Sequence, residues 1–81
     1  MSTKREREKA ERDFGNQLAA NIYNRRVKLD MSQSDLASLV PGWTQAKVSQ
    51  WESQYARPGV YNLVLLAKAL KTTPGDLLPK V

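Results

Sequence analysis

Apolar residues recur along this chain at helical spacing, and nowhere do they alternate over a run long enough for a half-buried strand. Five helices are predicted. Phe14, Leu18, Ile22 and Leu29 mark one face of a first helix over about Asp13 to Lys28. Ser32 is a natural N-cap, with Asp35 three residues later as in a capping box. The helix it opens, Gln33 to about Val40, buries Leu36, Ala37 and Val40, and Pro41-Gly42 ends it. Thr44 caps a third helix that stops near Ser53, followed by the irregular stretch Gln54 to Gly59. A fourth covers about Val60 to Lys71, with Leu63, Leu66, Ala67 and Leu70 at i, i+3, i+4, i+7 spacing. Thr73-Pro74-Gly75-Asp76 supplies a cap, a first-turn proline and an acid for a last short helix through Leu78. Residues 1–13 stand apart from the domain at 14–81. Their dense mixed charge offers i,i+4 pairs such as Glu8–Arg12, and fits either a helix extension or an arm.

The third helix divides most sharply. At about 100° per residue, Val48 and Trp51 fall on one side with Thr44, whereas Gln45, Ala46, Ser49 and Gln50 fall on the other. The first side is core. The second is a row of small or amide-bearing side chains, and an amide pairs a donor with an acceptor as an adenine edge does in the major groove.

Composition narrows the function. Cysteine and histidine are both absent, so disulfides, zinc-thiolate sites and the commonest general base are excluded. No nucleophile–base set or metal cluster can be assembled, which speaks against an enzyme, and no cofactor or small-molecule ligand is implied. No apolar run approaches a membrane span and no signal peptide is visible, so a cytoplasmic setting is expected. The net charge of +5 favours a polyanionic partner. Residues 1–13 hold five bases and four acids, and the other 68 residues hold eight bases and four acids. The excess therefore lies in the folded part.

A short helix, a tight glycine-containing turn and a capped second helix make a helix-turn-helix. Met31-Ser32-Gln33-Ser34-Asp35-Leu36-Ala37, Val48-Ser49-Gln50-Trp51-Glu52, Arg57-Pro58 and Leu66-Ala67-Lys68-Ala69-Leu70 together resemble the phage repressor and Cro-like family over residues 14–78. The resemblance implies an all-α, five-helix lambda repressor-like domain. It places Gln45 and Gln50 at base-reading positions, with Ala46 and Ser49 between them. Gln33 is expected to sit at the sugar-phosphate backbone and brace Gln45. Lys47, Thr44, Ser53, Arg57 and Asn62 are further candidates for backbone contact or bracing, Arg57 foremost. The resemblance also implies that Arg26, which falls on the apolar face of helix 1, pairs with Glu52 as a structural salt bridge. Two departures stand out. The turn around Pro41-Gly42-Trp43 is one residue longer than the commonest family spacing, and Gln54 replaces the family's usual glycine. Trp43 is expected to pack in that turn or the core, the alternative being contact with a thymine methyl. The Ser2-Thr3-Lys4-Arg5 opening is similar to the basic arms some phage repressors wrap around DNA.

The function implied is a double-stranded DNA-binding regulator, acting as a homodimer on a palindromic operator with half-sites about 34–36 Å apart. Leu77, Leu78 and Val81 are the expected dimer surface. Two alternatives remain: a toxin–antitoxin or restriction-modification controller on the same fold, and a protein-interaction module that no longer binds DNA. The latter predicts acids or bulky apolar groups on the outer face of the third helix, where Gln45, Ala46, Ser49 and Gln50 stand instead.

Overall fold

The computed structural model describes residues 3–80, which form five helices and no strand. Helix α1 runs from Lys4 to Lys28, nine residues further toward the N-terminus than the apolar pattern indicates. Local interactions account for the extension. Thr3 and Glu6 form a complete capping box, and Lys4–Glu8 and Lys9–Asp13 pair at i,i+4 spacing at 3.9 and 3.1 Å. Residues 4–13 are all exposed, and the molecule has a long dimension of 43 Å against 22 and 21 Å. Ser2 lies outside the described residues. From Lys4 onward the charged segment is helix rather than an irregular arm.

The remaining elements are α2 (Gln33–Ser38), α3 (Gln45–Glu52), α4 (Val60–Ala69) and α5 (Pro74–Leu77), most ending one or more residues short of the predicted bounds. Ser32 and Asp35 exchange both capping-box bonds at 2.9 Å. The Thr44 hydroxyl accepts from the Lys47 amide, and the Thr73 hydroxyl from Asp76. Three helices end on non-glycine residues in the left-handed region: Asp30, Gln54 and Lys71, with φ of 59°, 67° and 58°. After α1 the Met31 and Asp30 amides bond the Arg26 and Val27 carbonyls. After α4 the Thr72 and Lys71 amides bond Ala67 and Lys68. Both are Schellman closures. Gln54 therefore takes the left-handed conformation without being a glycine, at a cost of roughly 1–2 kcal/mol.

The core joins all five helices. Ile22, Leu36, Val48, Leu66 and Leu70 are fully buried, and Leu18, Ala37, Trp51, Ala67 and Leu77 pack with them. Truncating one of the leucines to alanine costs about 2–5 kcal/mol, a large part of a small domain's stability. Val40 is only half-buried, because α2 ends at Ser38 and the chain turns away. Leu77 is 2% exposed, so it belongs to the protomer's own core and cannot form a dimer surface as expected. Leu78 remains partly exposed, and Val81 lies outside the described residues.

Candidate nucleic-acid interface

Helix α3 packs closely on α2 and α1 and turns its other side to solvent. Val48 and Trp51 are buried. Gln45, Ala46 and Gln50 are exposed, and Ser49 is half-buried at the margin. The outward row thus consists of side chains that can donate, accept or make methyl contact, with no charge among them.

Behind this row runs a chain of hydrogen bonds linking three helices. Arg26 of α1 grips Glu52 with two parallel bonds, Nε to Oε2 at 2.7 Å and Nη2 to Oε1 at 2.8 Å. Its Nη1 donates to the Met31 carbonyl at 2.7 Å, and its guanidinium lies 5.2 Å from the Tyr23 ring centroid. The pair is buried, with side chains 10% and 5% exposed, so both charges depend on these bonds. The hydrogen bonds that Arg26 donates to Glu52 raise its pKa above the ordinary value, against burial, which would lower it. Gln33, the first residue of α2, donates from Nε2 to Glu52 Oε1 at 3.1 Å. Its Oε1 accepts from Nε2 of Gln45, the first residue of α3, at 2.6 Å.

This relay has a direction. A carboxylate only accepts, so the NH2 end of Gln33 must face Glu52. The Gln33 oxygen then faces Gln45, and the Gln45 NH2 must turn toward it. Gln45 is left with one N–H and its oxygen unused, a donor and an acceptor side by side. Gln50 makes no side-chain hydrogen bond among the described residues and keeps its whole amide for a partner.

The flanking candidates divide. Lys47 is exposed beside the row, and Thr44 and Ser53 serve as the caps of α3. The Ser53 hydroxyl donates to the Gln50 carbonyl at 3.3 Å. Arg57, expected at phosphate, is folded onto α1. Its Nη2 donates to the Glu11 carbonyl at 2.6 Å, and the guanidinium lies 5.8 Å from the Phe14 ring centroid. Gly15 makes room for it: a Cβ there would lie 2.6 Å from Arg57 Nη2 and 2.9 Å from Gln54 Oε1. Gln54 also donates to Asn16, so the loop after α3 is docked on α1 through two side chains. Sequence reasoning missed this docking. Its one signal was an otherwise unexplained glycine within a strong helix former's run.

Asn62 is likewise engaged with the protein. Its Oδ1 accepts from the Trp43 indole at 3.3 Å, which ties α4 to the turn before α3. Trp43 packs inward, edge-on to Trp51, with centroids 4.9 Å apart and planes at 79°. A thymine-methyl contact is therefore not its role. Among the described residues no cluster of His, Cys, Asp or Glu could hold a metal ion, and no helix is long and apolar enough to cross a membrane.

Similarity to known proteins centres on this part of the chain. Residues 22–77 match the family described as helix-turn-helix. Repressor protein C2 of Salmonella phage P22 is 38% identical over 61 residues, and the match takes in 75% of this chain but only 28% of that repressor. The crystal structure of the P22 c2 repressor in complex with a synthetic operator superposes with a TM-score of 0.69 at 38% identity. The superposition covers 75% of this chain and 91% of that one. The hydroxypropylphosphonic acid epoxidase of S. wedmorenis also superposes, with a TM-score of 0.72 at 30% identity, over 80% of this chain and 34% of the epoxidase. That likeness is confined to about a third of the enzyme. With the family match spanning more than half its length and the reading-helix geometry in place, the chain belongs to the helix-turn-helix family.

Proposed function

We propose that this chain is a sequence-specific double-stranded DNA-binding regulator of the phage-repressor type, with α3 seated in the major groove of an operator. The observation that carries the reading is the polarity of the Gln45 amide. Glu52 and Gln33 leave it presenting one donor and one acceptor outward, the pair an adenine edge requires. Gln45 and Gln50 read bases, with Ala46 and Ser49 between them. Gln33 braces Gln45 while its helix approaches the backbone, and Lys47 and Arg57 supply charge for phosphate from either end of α3. No catalysis is assigned. The absence of acid and of bulky apolar groups on the outer row disfavours a protein-interaction module. The P22 repressor's crystallised complex with operator DNA supports the same reading. Operator binding would put the protein in the bacterial cytoplasm, at the nucleoid.

One domain offers few phosphate anchors beside α3, so a homodimer on a palindrome is part of the proposal. With Leu77 committed to the core, Tyr55, Val60, Tyr61 and Val64 are the candidate surface for a second copy, on the whole more exposed than Tyr23, Val27, Leu39 and Leu78. The first three are 83%, 82% and 76% exposed, and all four follow α3 directly in the chain. This surface lies on the loop and helix that lead away from the reading row.

Selection from a random-sequence duplex library tests the function. A two-fold symmetric site with half-site centres about 10–10.5 base pairs apart is expected. Failure to enrich any sequence over repeated rounds would overturn the reading. Val60→Glu should weaken dimerisation and operator binding while leaving the fold intact.

A further inference from the structure

Trp43 stands in the lengthened turn immediately before the cap of α3, and the proposed function does not use it. The turn itself gives little support. Pro41 and Gly42 are exposed, Gly42 takes φ of 89°, and no atom lies within 4 Å of where its Cβ would be. Trp43 is the residue that ties this turn to the body. Its ring meets the buried Trp51 of α3 edge-on, and its indole N–H reaches across to Asn62 of α4. Side-chain hydrogen bonds otherwise tie α3 to α1, through Arg26–Glu52, and to α2, through Gln33, while Val48 and Trp51 share the core with Leu66 and Ala67 of α4. The close backbone approaches of α3 are to α1 and α2. The directional tie from the start of α3 to α4 is the Trp43–Asn62 hydrogen bond.

We propose that Trp43 is a positioning residue for base recognition. Its edge contact with Trp51 and its bond to Asn62 set the tilt of the N-terminal end of α3. A phenylalanine would fill much of the same space, so the indole N–H adds direction rather than volume. Gln45 lies two residues further on, and a bidentate contact tolerates only a few tenths of an ångström in donor–acceptor distance. Loss of the Trp43–Asn62 bond therefore acts on sequence discrimination. Trp43 brings no charge and no phosphate contact, so affinity for DNA in general is untouched. The inference rests on the reading of α3 as the recognition helix.

The test compares Trp43→Phe, Asn62→Leu and the double variant with the parent, on a selected operator and on random duplex. Hydrogen exchange at the Lys47 and Val48 amides, the first bonded amides of α3, is followed without DNA. Each single variant should lose about three- to tenfold in operator affinity, the worth of one hydrogen bond. Random-DNA affinity should stay the same, and the double variant should be no worse than either single. Exchange at Lys47 and Val48 should quicken relative to Leu66. Equal losses on both DNAs, additive singles, or unchanged exchange at α3 would overturn the proposal. If Trp43→Phe does not fold, Asn62→Leu alone decides it. If the parent fails to discriminate, the function proposed for α3 falls, and the exchange rates still judge the positioning of its first turn.

Discussion

Glu52 determines which way the amide of Gln45 points, although the two side chains never touch. Gln33 lies between them, donating to Glu52 at 3.1 Å and accepting from Gln45 at 2.6 Å. Because Glu52 is acceptor-only and is held by Arg26, neither amide in the relay can flip without losing a bond. A structural ion pair thereby sets the donor–acceptor order that Gln45 displays outward. Core and reading face are connected through one glutamine.

Gln33→Leu cuts that connection. Glu52 keeps Arg26, so the fold should lose only about 1 kcal/mol. Gln45 becomes free to rotate and flip. Operator variants changed at the base pair read by Gln45 should bind nearly as well as the parent operator, while preferences set by Gln50 persist. A competition assay over single base-pair substitutions measures this directly.

Removing the charge of Glu52 should be far more costly. Glu52→Gln leaves the buried Arg26 guanidinium without its counter-charge, at about 3–5 kcal/mol. That is a large share of the roughly 5–15 kcal/mol typical of a folded domain. Urea denaturation should show the midpoint falling steeply. An Arg26→Met, Glu52→Leu double variant should lose less than the two single variants combined, since it leaves no orphaned charge.

Acid should unfold the protein partly through two cap carboxylates. Asp35 is held below the ordinary carboxylate pKa by the Ser32 backbone N–H and then by the Ser32 hydroxyl. Asp76 is lowered by the Thr72 hydroxyl and then by that of Thr73. A lowered native pKa means the unfolded chain binds protons first as pH falls. The stabilisation is therefore complete above the ordinary value of about 3.9 and drains away below it, toward the native values. Thermal midpoints between neutral pH and pH 2, followed by circular dichroism, should fall less in an Asp35→Asn, Asp76→Asn variant than in the parent.

Arg57 has both a structural and an electrostatic part to play. Its bond to Glu11 uses one end of the guanidinium and leaves other N–H groups free to meet phosphate. Arg57→Ala should lower stability by about 1 kcal/mol by undocking the loop from α1. It should also weaken binding to every DNA alike and reduce the salt slope by about one. Gly15→Ala separates the two effects. It displaces the ends of two flexible side chains, Arg57 and Gln54, while alanine gains about 0.5–1 kcal/mol over glycine within a helix. Stability should hold, and the salt slope should remain that of the parent.

The parts of this fold that were legible in the sequence were those written locally. Ser32, Thr44 and Thr73 announced their helices because capping is a matter of three or four consecutive residues. Val48 and Trp51 revealed the buried side of α3 by period alone. What escaped depended on distant partners. The extension of α1 to Lys4, which mixed charge alone leaves open against an arm, rests on the capping box at Thr3, and Leu77 is buried by packing of α5 on α4 and α1 that no local pattern announces. Arg57 and Asn62, as polar residues near segment ends, look outward-facing by local pattern. Their partners, Glu11 and Trp43, lie 46 and 19 residues away, beyond the reach of any local pattern. Gln54 shows the converse: a residue other than glycine takes the left-handed turn, and its side chain docks on Asn16.

Whether the outward row of α3 reads sequence is decided by titrating the parent and Gln45→Ala against operator and random duplex by fluorescence anisotropy. The parent should bind its operator at least about a thousandfold more tightly than random DNA at physiological salt. Gln45→Ala should lose about 1–3 kcal/mol on the operator and nothing on random duplex. An equal loss on both DNAs, or a parent that binds the two alike, would contradict the account.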